Sequence, residues 1–242
     1  FYRDDVYASK TRLNIDTGAI SERAPRFPDG SRMDAMAVYI ADDWRHGRWD
    51  VNYGLRYSRF DISIPSQGTT PGVSLKPDDL TGNVGIAFEL SDDMRLVANL
   101  GRGFRAPNIF DLGVFGPRPG NRFSTPNPDL APEYVTSIDA GLKFGGEHFS
   151  GELIAFRSSY RDKITSVLTG NVIDGALEVQ NRNVARLDLR GIEAGARYRF
   201  GSPDLELYAT ATYTRGDEDT ATGTMPADRI PPLFGKRGAR WQ

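Results

Sequence analysis

The two histidines are the first residues to consider for catalysis or metal binding, because imidazole serves both purposes. His46 and His148 each lie in a short polar segment, without acidic or cysteine neighbours at the spacing of a metal site. The chain has no cysteine and no Gly-x-Ser-x-Gly motif, and no nucleophile–base pair is visible. The sequence therefore predicts a protein that is not an enzyme, with no metal site and no cofactor. We interpret both histidines as surface turn residues.

A glycine motif, Gly101-Arg102-Gly103-Phe104-Arg105-Ala106, has the G-x-G-x-x-A spacing of dinucleotide-binding loops. Such a loop needs a helix that begins at once, so that backbone amides and the helix dipole meet the pyrophosphate. Pro107 and the polar residues after it show no helical pattern. We therefore interpret the spacing as accidental. The glycines fit a point where a strand bends or leaves a sheet.

An acidic run, Asp217-Glu218-Asp219, offers oxygen ligands of the kind that calcium prefers. The run stands in a polar segment that we expect to be a loop. A solvated acidic loop tip is the simpler interpretation, and no metal is assigned to it.

The loop between Gly101 and Glu133 carries the side chains best suited to ligand binding. Guanidinium groups bind anions, and an aromatic ring packs against flat or cationic groups. The candidate ligand-binding residues are Arg105, Arg118, Asn121, Arg122 and Phe123. A solvated loop with scattered arginines is the alternative interpretation.

Strands must position this loop, and the clearest of them begins at Trp49. Trp49, Val51, Tyr53, Leu55 and Tyr57 alternate with polar or small residues, which is the period-two pattern of a strand. We expect Leu55 to face lipid and Arg56 to face an interior. The full set of expected inward polar residues is Asp50, Asn52, Arg56, Asn83, Glu89, Lys143, Glu193, Arg197, Arg199 and Glu206.

Similar alternating segments recur along the chain, and their connections alternate between short and long. Short turns are expected at residues 45–47, 91–93, 145–148 and 201–204, and irregular stretches between them. Outer-membrane barrels sort their connections in this way, with short periplasmic turns and longer extracellular loops. Large aromatics flank the short turns, as an aromatic girdle does. These residues are Trp44, Trp49, Phe88, Phe144, Phe149 and Phe200.

The fold class expected is therefore all-β, an antiparallel up-and-down transmembrane β-barrel, present here as an incomplete segment of about nine strands. No apolar run approaches the roughly 18 residues of a helical span. The mean hydropathy of -0.45 is typical of a soluble protein, but it does not exclude a membrane barrel, whose strands are apolar on one face only. A net charge of -2 gives no basic footprint for nucleic acid.

Three pairs of short motifs resemble the TonB-dependent outer-membrane receptors, and within them the haem/haemoglobin-receptor-like branch. A strand ends at Phe104-Arg105-Ala106-Pro107 and the chain restarts after Asn127-Pro128-Asp129-Leu130. The other matching segments are Asp42-Asp43-Trp44-Arg45 with Gly54-Leu55-Arg56-Tyr57, and Asn183-Val184-Ala185 with Gly191-Ile192-Glu193.

The resemblance implies a 22-stranded barrel with a plugged lumen in the outer membrane of a Gram-negative cell. It implies uptake of a scarce ligand, such as an iron–siderophore, haem or cobalamin. The implied partners are the TonB energy-transducing complex, reached through a plug domain, and the lipid and lipopolysaccharide of the membrane. Residues 1–242 are expected to be part of a single barrel domain, with the plug and the final strands outside this chain.

One departure bears on the ligand. Haem receptors usually carry a haem-ligating histidine between the two central motifs, and residues 108–126 contain none. Two other protein classes stay open from the sequence: a passive or adhesive outer-membrane barrel without a transport cycle, and a soluble β-rich binding module.

Overall fold

The computed structural model describes residues 1–23, 25–66, 72–201, 205–220, 223–231 and 233–241. These residues are mostly in strands, with one short helix among them, α1 (Ile109–Gly113), and none of their helices is long and apolar enough to cross a membrane. The strands are β1 Tyr2–Val6, β2 Thr11–Leu13, β3 Ile20–Glu22, β4 Ser31–His46, β5 Trp49–Ile64, β6 Val73–Leu75, β7 Asp78–Ser91, β8 Met94–Arg105, β9 Gly116–Arg118, β10 Arg122–Thr125, β11 Glu133–Gly145, β12 Phe149–Ile173, β13 Ala176–Phe200, β14 Leu205–Thr220, β15 Gly223–Pro226 and β16 Phe234–Trp241.

Nine strands of the 14-stranded main sheet form a meander in the described residues, and each pairs antiparallel with the next. Their order is β4–β5–β7–β8–β11–β12–β13–β14–β16, and β1 adds to the β4 edge. No pairing among the described residues joins β16 to β1, so the sheet is open. The predicted all-β, up-and-down antiparallel segment of about nine strands is confirmed.

The sheet has an apolar face, which contains Leu55, and a polar face, which contains Arg56. Residues opposite one another on neighbouring strands share a face, so the register identifies each side. One row across seven strands of the apolar face runs Val51, Ile86, Ala98, Ala140, Ala155, Ile192 and Tyr213. The expected alternation at Leu55 and Arg56 is therefore present in the structure.

The polar face contains all ten of the expected inward polar residues, as the register shows. Several of them form ion pairs with cross-strand or nearby partners. Asp50 lies 3.0 Å from Arg45, and Glu89 accepts from Arg95 at 2.9 Å. The side chain of Glu206 is only 10% exposed and lies among three arginines. Opposite charges thus satisfy one another on this face.

The aromatic side chains flank the short turns on the apolar face, as expected. Trp49 and Phe88 are cross-strand partners with ring centroids 4.6 Å apart. Phe144 and Phe149 lie on either side of the next turn, with ring centroids 6.5 Å apart. Three predicted short turns are observed. Residues 202–204 of the fourth lie outside the described residues, as do residues 67–71 of one expected long loop.

The expectation of an irregular stretch after Tyr160 is wrong, because β12 and β13 continue as a long hairpin. Each strand has 25 residues, with register shifts between Tyr160 and Ile164 and after Leu168. The hairpin turns at Asp174 and Gly175, whose φ angles are 51° and 78°. Two left-handed residues in a two-residue loop favour Asp-Gly, the strongest short-range signal for a hairpin. The Asp174-Gly175 dipeptide was therefore the sequence signal for this hairpin.

A further expectation is corrected. The acidic run is not a loop tip but the end of β14, where successive side chains point to opposite faces. Asp217 there pairs with Arg190, and Glu218 pairs with Lys163.

We expect Gly175→Ala to destabilise the tip of the β12–β13 hairpin. A left-handed backbone costs an L-residue roughly 1–2 kcal/mol, so amides near the tip should exchange hydrogen about five- to thirtyfold faster in the full-length protein. Gly145→Ala is the control, because an added methyl group meets open space there and the φ angle of Gly145 lies outside the left-handed region. Equal exchange in the two variants would contradict the prediction.

Candidate functional site

The loop between β8 and β11 is folded and lies against other parts of the sheet. It contains α1 and the β9–β10 hairpin, and β10 pairs in parallel with β13. Helix α1 corrects the expectation that no helix follows Pro107. A capping box explains its start: Asp111 N donates to Asn108 Oδ1 at 2.7 Å, and Asn108 N donates to Asp111 Oδ2 at 3.1 Å. The box occupies amides that a phosphate would need, so the dinucleotide interpretation gains no support.

A small apolar core packs the loop against strands β5 and β12 of the sheet. Leu112 is fully buried and Ile109 and Leu130 nearly so, and they cluster with Ile62 and Ile64 of β5. Ile164 of β12 packs against the same cluster. Three strands lie between β5 and β12 in the sheet, so the loop extends across those three strands to contact both. Burial of these side chains gives the loop a fixed position.

Arg105 forms an ion-pair clamp that joins four elements. Its Nη1 donates to Asp111 Oδ2 at 2.6 Å, and its Nε donates to Glu133 Oε2 at 2.5 Å. The other oxygen of Glu133 accepts from the backbone N–H of Ile164 at 2.5 Å. The clamp therefore links β8 with α1, β11 and β12. A candidate ligand-binding residue is thus already engaged by two carboxylates.

Amide side chains of β13 bind the backbone of the loop. Gln180 Nε2 donates to Pro126 O at 2.9 Å, and Asn181 Nδ2 donates to Asp111 O at 2.9 Å. Asn183 both donates to Ala131 O at 2.8 Å and accepts from Ala131 N at 2.9 Å. We call Gln180, Asn181 and Asn183 the amide ladder. The polar run Gln-Asn-Arg-Asn was the only sequence signal for it.

Glu178 extends the amide ladder with a charged group. Its carboxylate accepts hydrogen bonds from Thr169 and Thr125, at 2.5 and 2.7 Å, and from Asn171 at 2.8 Å. These bonds, that from Thr169 foremost, hold the pKa of Glu178 below its ordinary value because they favour the charged form. Glu178 therefore stays ionised while it holds β10.

The β9–β10 hairpin brings two of the candidate arginines together. Arg118 and Arg122 are direct cross-strand partners, so their side chains lie on the same face. Arg118 Nη1 makes a long contact of 3.4 Å with Ser166 Oγ. In the described part of the chain, neither guanidinium has a carboxylate ion-pair partner. Like charges on directly opposite residues destabilise a hairpin. An anion between Arg118 and Arg122 would reduce this repulsion.

The other two candidate residues have structural contacts. Asn121 adopts a left-handed turn conformation with φ 52° and donates to Gly175 O at 3.1 Å. Phe123 lies on the opposite face of the hairpin from Arg122, and its ring meets that of Phe115 edge to face at 5.1 Å. The structure thus brings Arg118 and Arg122 together and separates Phe123 from them.

One small cavity adjoins the loop, and a larger one lies among the strands. The smaller, of about 30 Å³, is lined by Arg118 and by Ser124, whose buried hydroxyl lacks a hydrogen-bond partner in the described structure. It has room for one water molecule. The larger, of about 500 Å³, is a depression at Tyr39, Arg56 and the strand glycines beside them. Neither adjoins a histidine.

The histidines lie away from the loop. His46 stacks on Trp44 with ring centroids 5.6 Å apart, and His148 Nδ1 lies 3.2 Å from Arg199 O. The described residues contain no cluster of three His, Cys, Asp or Glu side chains that could hold a metal.

A family described as "TonB dependent receptor-like, beta-barrel" matches residues 1–242. The chain belongs to this family. Its curated relatives include the vitamin B12 transporter BtuB of Vibrio vulnificus, 31% identical over 121 residues, which are 50% of this chain and 18% of that protein. They also include the probable TonB-dependent siderophore receptor PirA of Acinetobacter baumannii, 24% identical over 259 residues, covering 95% of this chain and 32% of that receptor.

Solved structures show the same fold. The copper transporter OprC superposes on 96% of this chain with a TM-score of 0.75 at 19% identity. The aligned part is 36% of OprC. This TonB-dependent receptor chain therefore spans about a third or less of the relatives it matches. Two of the motifs that carried the resemblance help to hold the loop, since Asn127 Nδ2 donates to Asn181 O and Arg105 binds Glu133.

We expect Arg105→Gln to loosen the loop of this receptor chain without unfolding the sheet. Loss of two partly exposed ion pairs should cost about 1 kcal/mol, so amides of α1 should exchange hydrogen roughly fivefold faster while those of β7 stay unchanged. Arg95→Gln, which breaks a single ion pair with Glu89, is the matched control. Unchanged exchange in α1 would show that the apolar core and the amide ladder hold the loop without the clamp.

Proposed function

We propose that this chain forms part of the wall of a Gram-negative outer-membrane receptor that imports a scarce ligand with energy supplied through TonB. The observation that carries the proposal is the continuous nine-strand meander with one apolar face, in a chain of this family. Large apolar side chains on that face remain half exposed, among them Leu55 at 52% and Ile138 at 53%. A bilayer would cover them.

The polar face then lines the interior of the barrel. Its paired charges and its depression of about 500 Å³ suit a hydrated lumen or the surface of a plug. A plug domain and further strands outside this chain would complete the transporter, and the plug would contact the TonB complex. Residues 1–242 would be one part of a single barrel domain.

The folded loop then lies at the extracellular mouth, because it stands at the ends of the strands opposite the short turns. We propose that Arg118 and Arg122 contact an anionic ligand. Arg105, Asn121 and Phe123 hold the hairpin that presents them. A ferric siderophore suits a pair of arginines, because many siderophores carry carboxylate or phenolate oxygens. Haem also suits them, because it carries propionates. The relatives' names cover vitamin B12, a siderophore and copper, so the family alone does not choose among ligands.

Transport is tested in a host that lacks this receptor. The full-length receptor should restore growth on one iron or vitamin source, and deletion of TonB should abolish that growth. Uptake that persists without TonB would favour a passive barrel, and failure to restore growth on any iron or vitamin source would contradict the proposal.

We expect Leu55→Arg to destabilise the full-length receptor in lipid. An arginine on the lipid face near mid-bilayer costs roughly 2–4 kcal/mol. Arg56→Gln, one residue away on the other face, is the control and should cost well under that amount. Denaturant unfolding in lipid vesicles measures both. A larger loss for Arg56→Gln would reverse the assignment of the two faces.

We expect R118A/R122A to weaken binding of an anionic ligand by the full-length receptor. The loss should shrink as salt rises, because exposed charges are screened within about 10 Å at 0.1 M salt. Titration of the receptor with the ferric siderophore that supports growth measures the change. R12A/R23A, on the β2–β3 hairpin, removes the same charge elsewhere. Equal affinity in both variants would leave Arg118 and Arg122 as plain loop surface.

A further inference from the structure

We propose that Arg157, Arg190 and Arg215 bind the phosphate groups of a lipopolysaccharide molecule on the outside of the barrel. The inference rests on the proposed function, because it requires the apolar face to lie in the outer membrane. We call these three residues the arginine row.

The arginine row is fixed by strand register. Arg157 is the direct partner of Arg190 between β12 and β13, and Arg190 is the direct partner of Arg215 between β13 and β14. All three therefore project from the same face. On the preceding strands the same row is apolar. It consists there of Tyr53, Val84, Leu100 and Ile138.

The row also lies far from the short turns. Each arginine is eight to ten residues from the short-turn end of its strand, at Phe149, Phe200 and Leu205 respectively. Eight residues span roughly 26 Å of strand, or about 20 Å of height once the strand is tilted. That distance is close to the apolar band of such barrels, so the guanidinium groups reach the outer headgroup region.

Charge on the arginine row is not balanced by the protein. Asp188 lies 3.1 Å from Arg157, and Asp217 lies 3.4 Å from Arg190 and 3.9 Å from Arg215. Two carboxylates thus serve three guanidinium groups. The three arginine side chains stay 61–64% exposed. Guanidinium groups match phosphate oxygens in a fork geometry, so an external phosphate can complete the pairing.

The residues next to the row favour a lipid over a soluble anion. Directly on the turn side lie Ala155, Ile192 and Tyr213, which are cross-strand partners of one another. Ile192 and Tyr213 are about half exposed. Acyl chains can pack on this apolar row while the phosphates meet the arginines above it. A soluble anion would make no use of the apolar row.

The test compares lipid retained by the full-length receptor. R157Q/R190Q/R215Q should purify with at least about fivefold less lipopolysaccharide per receptor than wild type, measured by mass spectrometry. R12Q/R23Q/R45Q removes the same charge at exposed sites away from the row and should retain as much as wild type. Equal retention in the two variants would overturn the proposal.

A second variant keeps the test decisive if loss of the arginines impairs folding. D188N/D217N leaves all three guanidinium groups and removes their carboxylate partners, so it should retain more lipopolysaccharide than wild type. Wild-type receptor should also prefer lipid A with its phosphates to dephosphorylated lipid A, with inorganic phosphate a poor competitor. No gain in D188N/D217N, or equal affinity for the two lipids, would contradict the site. TonB-dependent growth, scored separately, reports on the proposed function alone.

Discussion

Nine neighbouring strands exchange backbone hydrogen bonds from β4 to β16, and the other features of the structure depend on that ladder. Within hydrocarbon an unpaired N–H or C=O group costs several kcal/mol, so a chain that spans as strands must pair each one with its neighbours. Pairing fixes the register, and the register assigns every side chain to one of two faces. The apolar face, the ion pairs of the polar face and the arginine row all follow from this assignment.

The loop between β8 and β11 uses a different set of interactions. Its backbone has no full ladder, so side chains supply the partners: the capping box of α1, the amide ladder of β13 and the clamp at Arg105. Buried Leu112 and Leu130 add apolar packing. A loop held in this way keeps Arg118 and Arg122 in a fixed position, which lowers the entropy cost of the ligand binding that we propose for them.

The sequence predicted the sheet well because period-two patterning is local. The alternation from Trp49 to Tyr57 and the aromatics beside the short turns hold in the structure. The extension of β12 and β13 was missed because those strands alternate weakly, although Asp174-Gly175 marked their turn. The site was predicted less completely. Arg105 and Glu133 are 28 residues apart, and parallel pairing of β10 with β13 joins residues more than 50 apart, so no local pattern reveals either contact.

The most direct test of the central claim uses the absence of cysteine from this chain. Single cysteines are placed in turn at residues 49–58 of the full-length receptor and spin-labelled in lipid. Each label reports how accessible its position is to oxygen in the bilayer and to a water-soluble paramagnetic reagent. The account predicts alternation, with high oxygen access at Val51, Tyr53 and Leu55 and low access at Asn52, Gly54 and Arg56. Uniform access to the water-soluble reagent along the strand, or alternation of opposite phase, would contradict it.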